Sequence, residues 1–296
     1  MEFKQNLKKY QEIINSELEK YLRKENGPEK ILNNSMEYSL MAGGKRLRPI
    51  LVLATYELFR DSYEEAMPFA VAIEMVHNFS LIHDDLPEVD NDDFRHGKPT
   101  NHKMYDECTA LLAGDALFNY SNVVITDDLR DELDIKQISM KIMALNEFVK
   151  AKDRMIAGEY YDTVSEGEIL TLEQLEYMHR NKTGALIRES VRIGALLAGA
   201  TNQELQVLTT FAENIGLAFQ IKDDILSEIG DSKKTGKPVG NDREMKKATY
   251  VTKYGLERAQ EMLDDVINEA MAGIRIFGDK SEFLLNLALY IKDREK

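Results

Sequence analysis

The 296-residue chain carries 52 acidic against 38 basic side chains, a formal net charge of −14, with 43% hydrophobic and 30% charged residues. That composition supports a sizeable globular core, and the negative balance argues against a nucleic-acid backbone or an anionic membrane surface as the main partner. The single cysteine, Cys108, excludes an internal disulfide framework and fits a reducing compartment.

The start, MEFKQNLKKYQEI, has no signal-like apolar core, and the most apolar run, 193–200, is far too short to span a bilayer. A cytoplasmic protein without stable membrane insertion is expected. None of the six prolines falls between Pro99 and Pro238, and apolar residues recur every three or four positions. That pattern predicts helices at 3–24, 29–42, 47–60, 64–86, 104–128, 131–158, 171–180, 183–199, 202–229, 255–275 and 280–292. No segment alternates as a strand would, no repeat is visible, and no Pro-, Gly- or Ser-rich linker divides the chain. The expectation is one all-α helical bundle over 1–296.

Between the second and third predicted helices, GGKRLRP (43–49) sets Lys45, Arg46 and Arg48 behind two glycines at a helix start. Glycines let backbone N–H groups approach an anion, and lysine and arginine add charge and forked donors for phosphate oxygens. The fourth helix, FAVAIEMVHNFSLIH (69–83), is apolar around most of its circumference and runs into Asp84-Asp85. On it His77, Ser80 and Asp84 share a face, and Pro87 lets Asp90 fold back near Asp84. The later helix FAENIGLAFQIK (211–222) repeats the arrangement, ending in Asp223-Asp224 with Gln220 on the same face. A single acidic run is as well explained by a solvated loop. Two runs, each at the end of a buried helix, favour a site for a hard cation held by oxygen ligands, with Mg²⁺ the natural choice.

Basic residues accompany both acidic sites: Arg95 and Lys98 in RHGKP (95–99), Lys182 and Thr183 in KTG (182–184), and Lys237 in the glycine-rich KKTGKPVG (233–240). Met75, Phe79, Leu81, Phe211 and Phe219 predict an apolar tunnel below the acids, although ordinary core packing explains most of them equally well. The ligand expected from these two halves has a diphosphate head and a hydrocarbon tail.

GGKRLRP, HNFSLIHDDLPEVDNDDFRHGKPTNH, LLAGDAL, KTGALI, GLAFQIKDDIL, GKPVGND and KATYV follow one another in this order. Over nearly the whole chain they resemble the trans-isoprenyl diphosphate synthases of the bacterial farnesyl type. The resemblance implies an all-α isoprenoid-synthase fold with a central apolar cavity, usually a homodimer. The reaction it implies joins isopentenyl diphosphate head-to-tail to dimethylallyl or geranyl diphosphate, giving farnesyl diphosphate. It also implies Mg²⁺ as cofactor, three ions bound together with the diphosphate.

Carried over by motif, Lys45, Arg48 and His77 bind isopentenyl diphosphate, with His96 beside them. Asp84, Asp90 and Asp223 hold the metal, supported by Asp85 and Asp224. Arg95, Lys182, Thr183, Gln220 and Lys237 hold the allylic diphosphate, and Thr183 and Gln220 face the allylic cation. Phe79, with Ser80 next to it, limits product length: it lies five residues before Asp84, about 7.5 Å deeper along the helix. Two residues depart from the family's pattern. His96 replaces an arginine of the isopentenyl site, and Ser227 replaces the last aspartate of the second acidic motif. The second departure makes DDILSEIGD (223–231) approximate the metal motif of terpene cyclases. A cyclase, a geranyl or geranylgeranyl synthase, and a non-catalytic subunit of a heteromeric synthase are the alternatives.

Overall fold

The computed structural model describes residues 2–22, 27–168, 170–229 and 249–294. The chain enters through α1 (Glu2–Tyr21), α2 (Lys30–Leu40) and α3 (Leu47–Tyr56), then α4 (Met67–Asp84). A two-residue hairpin follows, β1 (Phe94–Arg95) antiparallel to β2 (Lys98–Pro99), with His96 and Gly97 at its tip in the left-handed region. Next come α5 (Asn101–Met104), α6 (Glu107–Arg130), α7 (Ile135–Val164) and α8 (Leu172–His179). A π-helical turn, Arg180–Gly184, leads into α9 (Ala185–Ala198), which is followed by α10 (Asn202–Ile229). The chain closes with α11 (Tyr250–Tyr254), α12 (Leu256–Ile274) and α13 (Glu282–Asp293).

Helix boundaries follow local chemistry. Asp106 accepts from the Thr109 N–H, which starts α6 at Glu107 and splits the predicted helix 104–128 from α5. Asp134 caps α7 in the same way, and Thr171 with Gln174 forms a capping box on α8. The hairpin and α11 were not foreseen, because a two-residue strand has no room for alternation and a five-residue helix has no room for a period.

α4 is buried on every side from Met67 to Val76, as its uniform apolar character predicts. α10 is central only in part: Phe211, Ala212, Ile215 and Ala218 are buried, whereas Glu213 is exposed. Two hydrophobic clusters result. Phe69, Ile73 and Met75 of α4 pack with Leu117 of α6 and Phe148 of α7 in the first. Phe211, Ile215 and Ile221 of α10 pack with Ile267 of α12 and Leu284 of α13 in the second. α9 serves both, giving Ile193 and Leu196 to one and Ile187 and Val191 to the other.

α4 and α6 run antiparallel in close contact. The His83 ring lies against Gly114, where a Cβ would come within 2.3 Å of Nε2, and four residues deeper Phe79 meets Phe118 at 4.8 Å. Asp84 and Asp85 stand at the C-terminal end of α4, whereas Asp223 and Asp224, expected to end their helix, lie inside α10, which continues to Ile229. Among the described residues no helix is long and apolar enough to cross a membrane.

Candidate active site

The chain turns back after α4 as Pro87 predicts. The Asp90 N–H donates to the Asp84 carbonyl at 2.9 Å, and Asn91, with φ +50°, donates to the Leu86 carbonyl. Asp84 presents a buried Oδ1 with no hydrogen-bond partner. Its surroundings come from α7 and the π turn. Lys182 Nζ lies 2.8 Å from Glu159 and 2.6 Å from Asp162. Burial opposes the Lys182 charge, yet Asp84, Asp162 and Glu159 outweigh it and hold the ammonium above the usual lysine range. Glu159 is pushed up to about 8, first by burial and then by the Asp84 charge, with Lys182 opposing.

The π turn aims Lys182 and Thr183. One extra residue per turn is inserted there, and Gly158 of α7 lets the backbone come close: a Cβ on it would meet the Lys182 nitrogen at 2.1 Å. His179, the last residue of α8, is buried, stacks on Tyr250 at 5.7 Å and places Nδ1 3.0 Å from Gln220 Nε2. Burial lowers its imidazole to about 4, so the ring is neutral. A neutral Nδ1 that accepts from the Gln220 amide leaves the Gln220 carbonyl oxygen free for a positive partner.

The second acid pair divides. Asp223 receives Arg294 Nη2 at 2.6 Å, while Asp224 is buried and accepts the Tyr250 N–H at 2.7 Å. The first pair divides as well. Asp85 is buried and bound by Arg95 through Nε and Nη2 at 2.6–2.9 Å; burial still keeps its carboxyl above the usual range. The sequence expects Asp84 and Asp223 as metal ligands, with Asp85 and Asp224 in support. In the structure Asp85 holds Arg95 of the hairpin and Asp224 the Tyr250 backbone, while Asp84 and Asp223 face other directions, because consecutive helix positions are about 100° apart.

The basic residues connect the two sides. Arg48 feels the charges of Glu74 and Asp223. His77, driven well below the usual histidine range by burial, adjoins Arg48, Arg95 and His96. Lys45 and Arg294 flank the Phe219 ring at 5.9 and 4.2 Å. Arg46 does not share this role: it is buried against Glu74 at 2.6 Å. Ser80 bonds the carbonyl of His77 within its own helix. Lys237 lies outside the described residues.

The expected tunnel residues do not line one channel. Met75 is enclosed in the first core cluster and Phe211 in the second, Phe219 sits at the polar end, and Leu81 borders a small hairpin-side pocket with Tyr38 and His96. Residues 79 and 81 are about 200° apart on a helix and face opposite ways. Phe79, about 7.5 Å deeper than Asp84 along α4, packs on Phe118 of α6.

Among the described residues no three carboxylate or imidazole groups gather closely enough to cage a metal on their own. Oxygen donors, one of them unpartnered on Asp84, fit Mg²⁺, which takes one or two carboxylates and completes its shell with water and phosphate.

The sequence profile of the polyprenyl synthetase family matches residues 29–277. The chain belongs to that family. It is 44% identical over 275 residues to the farnesyl diphosphate synthase of Geobacillus stearothermophilus, covering 92% of this chain and 91% of that one. To the geranylgeranyl diphosphate synthase of Cyanophora paradoxa it is 41% identical, covering 96% and 93%. An FPP/GFPP synthase from Zymomonas mobilis, crystallised in apo form, superposes with a TM-score of 0.86 at 32% identity, covering 98% of this chain and 99% of that one. Membership in the polyprenyl synthetases agrees with the fold read from the helical periodicity.

Sequence reading missed Glu159, Asp162, His179 and Arg294. The first two carried a signal, since acids at i and i+3 in GEYYD lie just past the predicted end of that helix. The other two are visible only through contacts distant in sequence.

Proposed function

We propose that the protein condenses isopentenyl diphosphate with dimethylallyl or geranyl diphosphate to give farnesyl diphosphate. The observation that carries this is an acid pair in the C-terminal part of each of two helices, α4 and α10, each set among cations, with Arg48 close enough to feel Asp223 and His77 close enough to feel both Arg48 and Arg95. Asp84 and Asp223, with Asp90, would hold Mg²⁺, which would supply positive charge to the diphosphate leaving group.

The chain's own residues do the rest. Lys182, with Arg95 and Lys237, positions the allylic diphosphate, and Lys45, Arg48 and His77 position the isopentenyl diphosphate. Fixed cations aimed at the leaving group stabilise charge as it develops. Thr183 and the Gln220 carbonyl face the allylic cation, and His179 keeps that amide oriented. The isopentenyl double bond attacks the cation, and a proton then leaves to the released diphosphate, since no described side chain offers an obvious base.

The relatives are synthases, which favours this reading over a cyclase. Incubating the purified protein with Mg²⁺, isopentenyl diphosphate and each primer, then measuring product chain length, tests it. Farnesyl diphosphate is the expected product. A cyclic hydrocarbon, or no turnover without a second protein, overturns the reading, and a geranylgeranyl product corrects its length.

His96 sits at the hairpin tip at φ +53°, and burial with the nearby Arg95 and Arg46 lowers its imidazole below the usual range. It is therefore uncharged at pH 7 and lacks an arginine's fork. His96→Arg is expected to lower KM for isopentenyl diphosphate by roughly tenfold, the worth of one charge-assisted hydrogen bond. Steady-state kinetics with that substrate varied reads the change, and an unaltered KM counts against it.

The working unit is a homodimer of a single domain over 1–296. Exposed Leu111 and Leu112 on α6, with Ile142, Met143, Val149 and Ile156 on α7, support a covered apolar face there. The exposed free thiol of Cys108 fits a reducing cytoplasm.

A further inference from the structure

Lys152 is a buried cation without a counter-ion. It lies on α7 with 4% of its surface exposed, and among the described residues no carboxylate pairs with it. Its one hydrogen bond goes to Asn122 Oδ1 of α6 at 2.7 Å. Two ring faces supply the remaining contacts, Phe118 at 4.1 Å and Phe148 at 4.8 Å from Nζ. Lysine is almost never fully buried unless paired, so its place here needs a reason.

Its position supplies one. Phe118 also touches Phe79 at 4.8 Å, and Phe79 touches His83 at 4.7 Å. The groups form a continuous stack, His83, Phe79, Phe118, Lys152, Phe148, running from the acid end of α4 into the bundle. Phe79 is about 7.5 Å below Asp84 along α4, and Lys152 is about 10.5 Å along α7 from Glu159, which adjoins Asp84. Lys152 therefore lies about 3 Å deeper than Phe79, separated from it by the Phe118 ring. Past that depth Pro68 of α4 and Val124 of α6 border a cleft of about 380 Å³.

We propose that Lys152 is a specificity-determining residue: it forms a charged floor beneath Phe79 that stops a growing hydrocarbon tail a second time. It does so in two ways. The ammonium holds the Phe118 ring by a desolvated cation–π contact, so that ring cannot swing aside to make room. A tail reaching this depth also meets a cation whose few partners it would displace without replacing them. The inference rests on the synthase reading above and assigns its product-length control to two layers instead of one. Burial lowers the Lys152 ammonium to about 8, so the floor is charged at pH 7.

The test is product length in four proteins: wild type, Phe79→Ala, Lys152→Met and the double variant. Wild type and Lys152→Met are expected to stop at C15 with unchanged kcat, because Phe79 still blocks. Phe79→Ala is expected to release C20. The double variant is expected to raise the ratio of C25 and longer products to C20 by at least about tenfold over Phe79→Ala, the scale on which pocket contacts discriminate chain lengths. Pairing Phe79→Ala with Lys152→Arg, which keeps the charge, is expected to keep the C20 stop; because methionine matches lysine in volume, a merely volumetric role predicts that the methionine double variant keeps it too.

Methionine is close to lysine in volume and removes a buried charge, so folding is preserved, and Lys152→Leu serves as a second apolar replacement. Identical products from Phe79→Ala and both of its apolar double variants overturn the inference and leave the synthase reading intact. Lengthening by the Lys152 change alone also overturns it, since Phe79 would then not be a first stop above a second. A wild type that makes no prenyl diphosphate sinks the functional reading, and the inference with it.

Discussion

Asp84→Asn is expected to lower kcat by roughly three orders of magnitude while making the apo fold more stable near neutral pH. The first half follows from charge. Asp84 interacts with Glu159 and Lys182, but its buried Oδ1 has no hydrogen-bond partner among the described residues. An amide keeps the shape but removes the anion that a cation–diphosphate complex needs.

The second half follows from crowding. Glu159 is driven to about 8 by burial and next by the Asp84 charge. A carboxyl whose folded pKa exceeds its unfolded value of 4.5 binds protons more tightly in the native state. The stability it contributes is present below the unfolded value and is lost as pH climbs from 4.5 toward 8. Replacing Asp84 removes one of the two main causes, so Glu159 moves toward its ordinary range and that loss shrinks. Melting curves with a chelator present, taken across this window, should show a flatter decline for the variant. An equal decline in both proteins means that Glu159 does not feel Asp84, and unimpaired turnover means that Asp84 is not the metal ligand.

The same residues mark what the sequence could and could not reveal. The continuous apolar run of α4, its acidic end and the reversal after Pro87 were legible because each depends on near neighbours. The expectation that Asp84 and Asp223 belong to a site rests on the same near-neighbour pattern. What escaped depends on partners far along the chain. Asp85 is engaged by Arg95 of the hairpin and Asp224 by the Tyr250 backbone, partners that no local pattern reveals. The π turn at 180–184 has no residue signature of its own; it is accommodated by the missing side chain of Gly158 on another helix. Lys152 reads in sequence as an ordinary surface lysine, and only the packing of α6 on α7 buries it. Arg294 reaches Asp223 from the far end of the chain, beyond any local pattern.

The basic run GGKRLRP puts two arginines to opposite uses, and paired substitutions separate them. Arg46 is 3% exposed, with φ +52°, and each of its three guanidinium nitrogens has a partner: Nη1 donates to Glu74 at 2.6 Å, Nε to Asn15 at 3.0 Å and Nη2 to the Leu40 carbonyl at 2.6 Å. Glu74 is itself 2% exposed in the middle of α4. Arg46→Gln therefore strands a buried carboxylate, which costs about 3–5 kcal/mol, or about 10 °C in Tm for a chain of this size. Arg48 is the reverse case. Burial lowers its pKa, Glu74 and Asp223 only partly compensate, and its Nε is buried without a partner. A guanidinium held at such a cost with an unused donor is poised for a ligand. Arg48→Gln is expected to leave Tm unchanged or higher and to raise KM for isopentenyl diphosphate by roughly 100-fold, the loss of a buried charge-assisted contact. Measuring Tm and KM on both variants decides the matter. If Arg46→Gln raises KM at an intact Tm, or Arg48→Gln unfolds the protein at an intact KM, the roles drawn from these contacts are reversed.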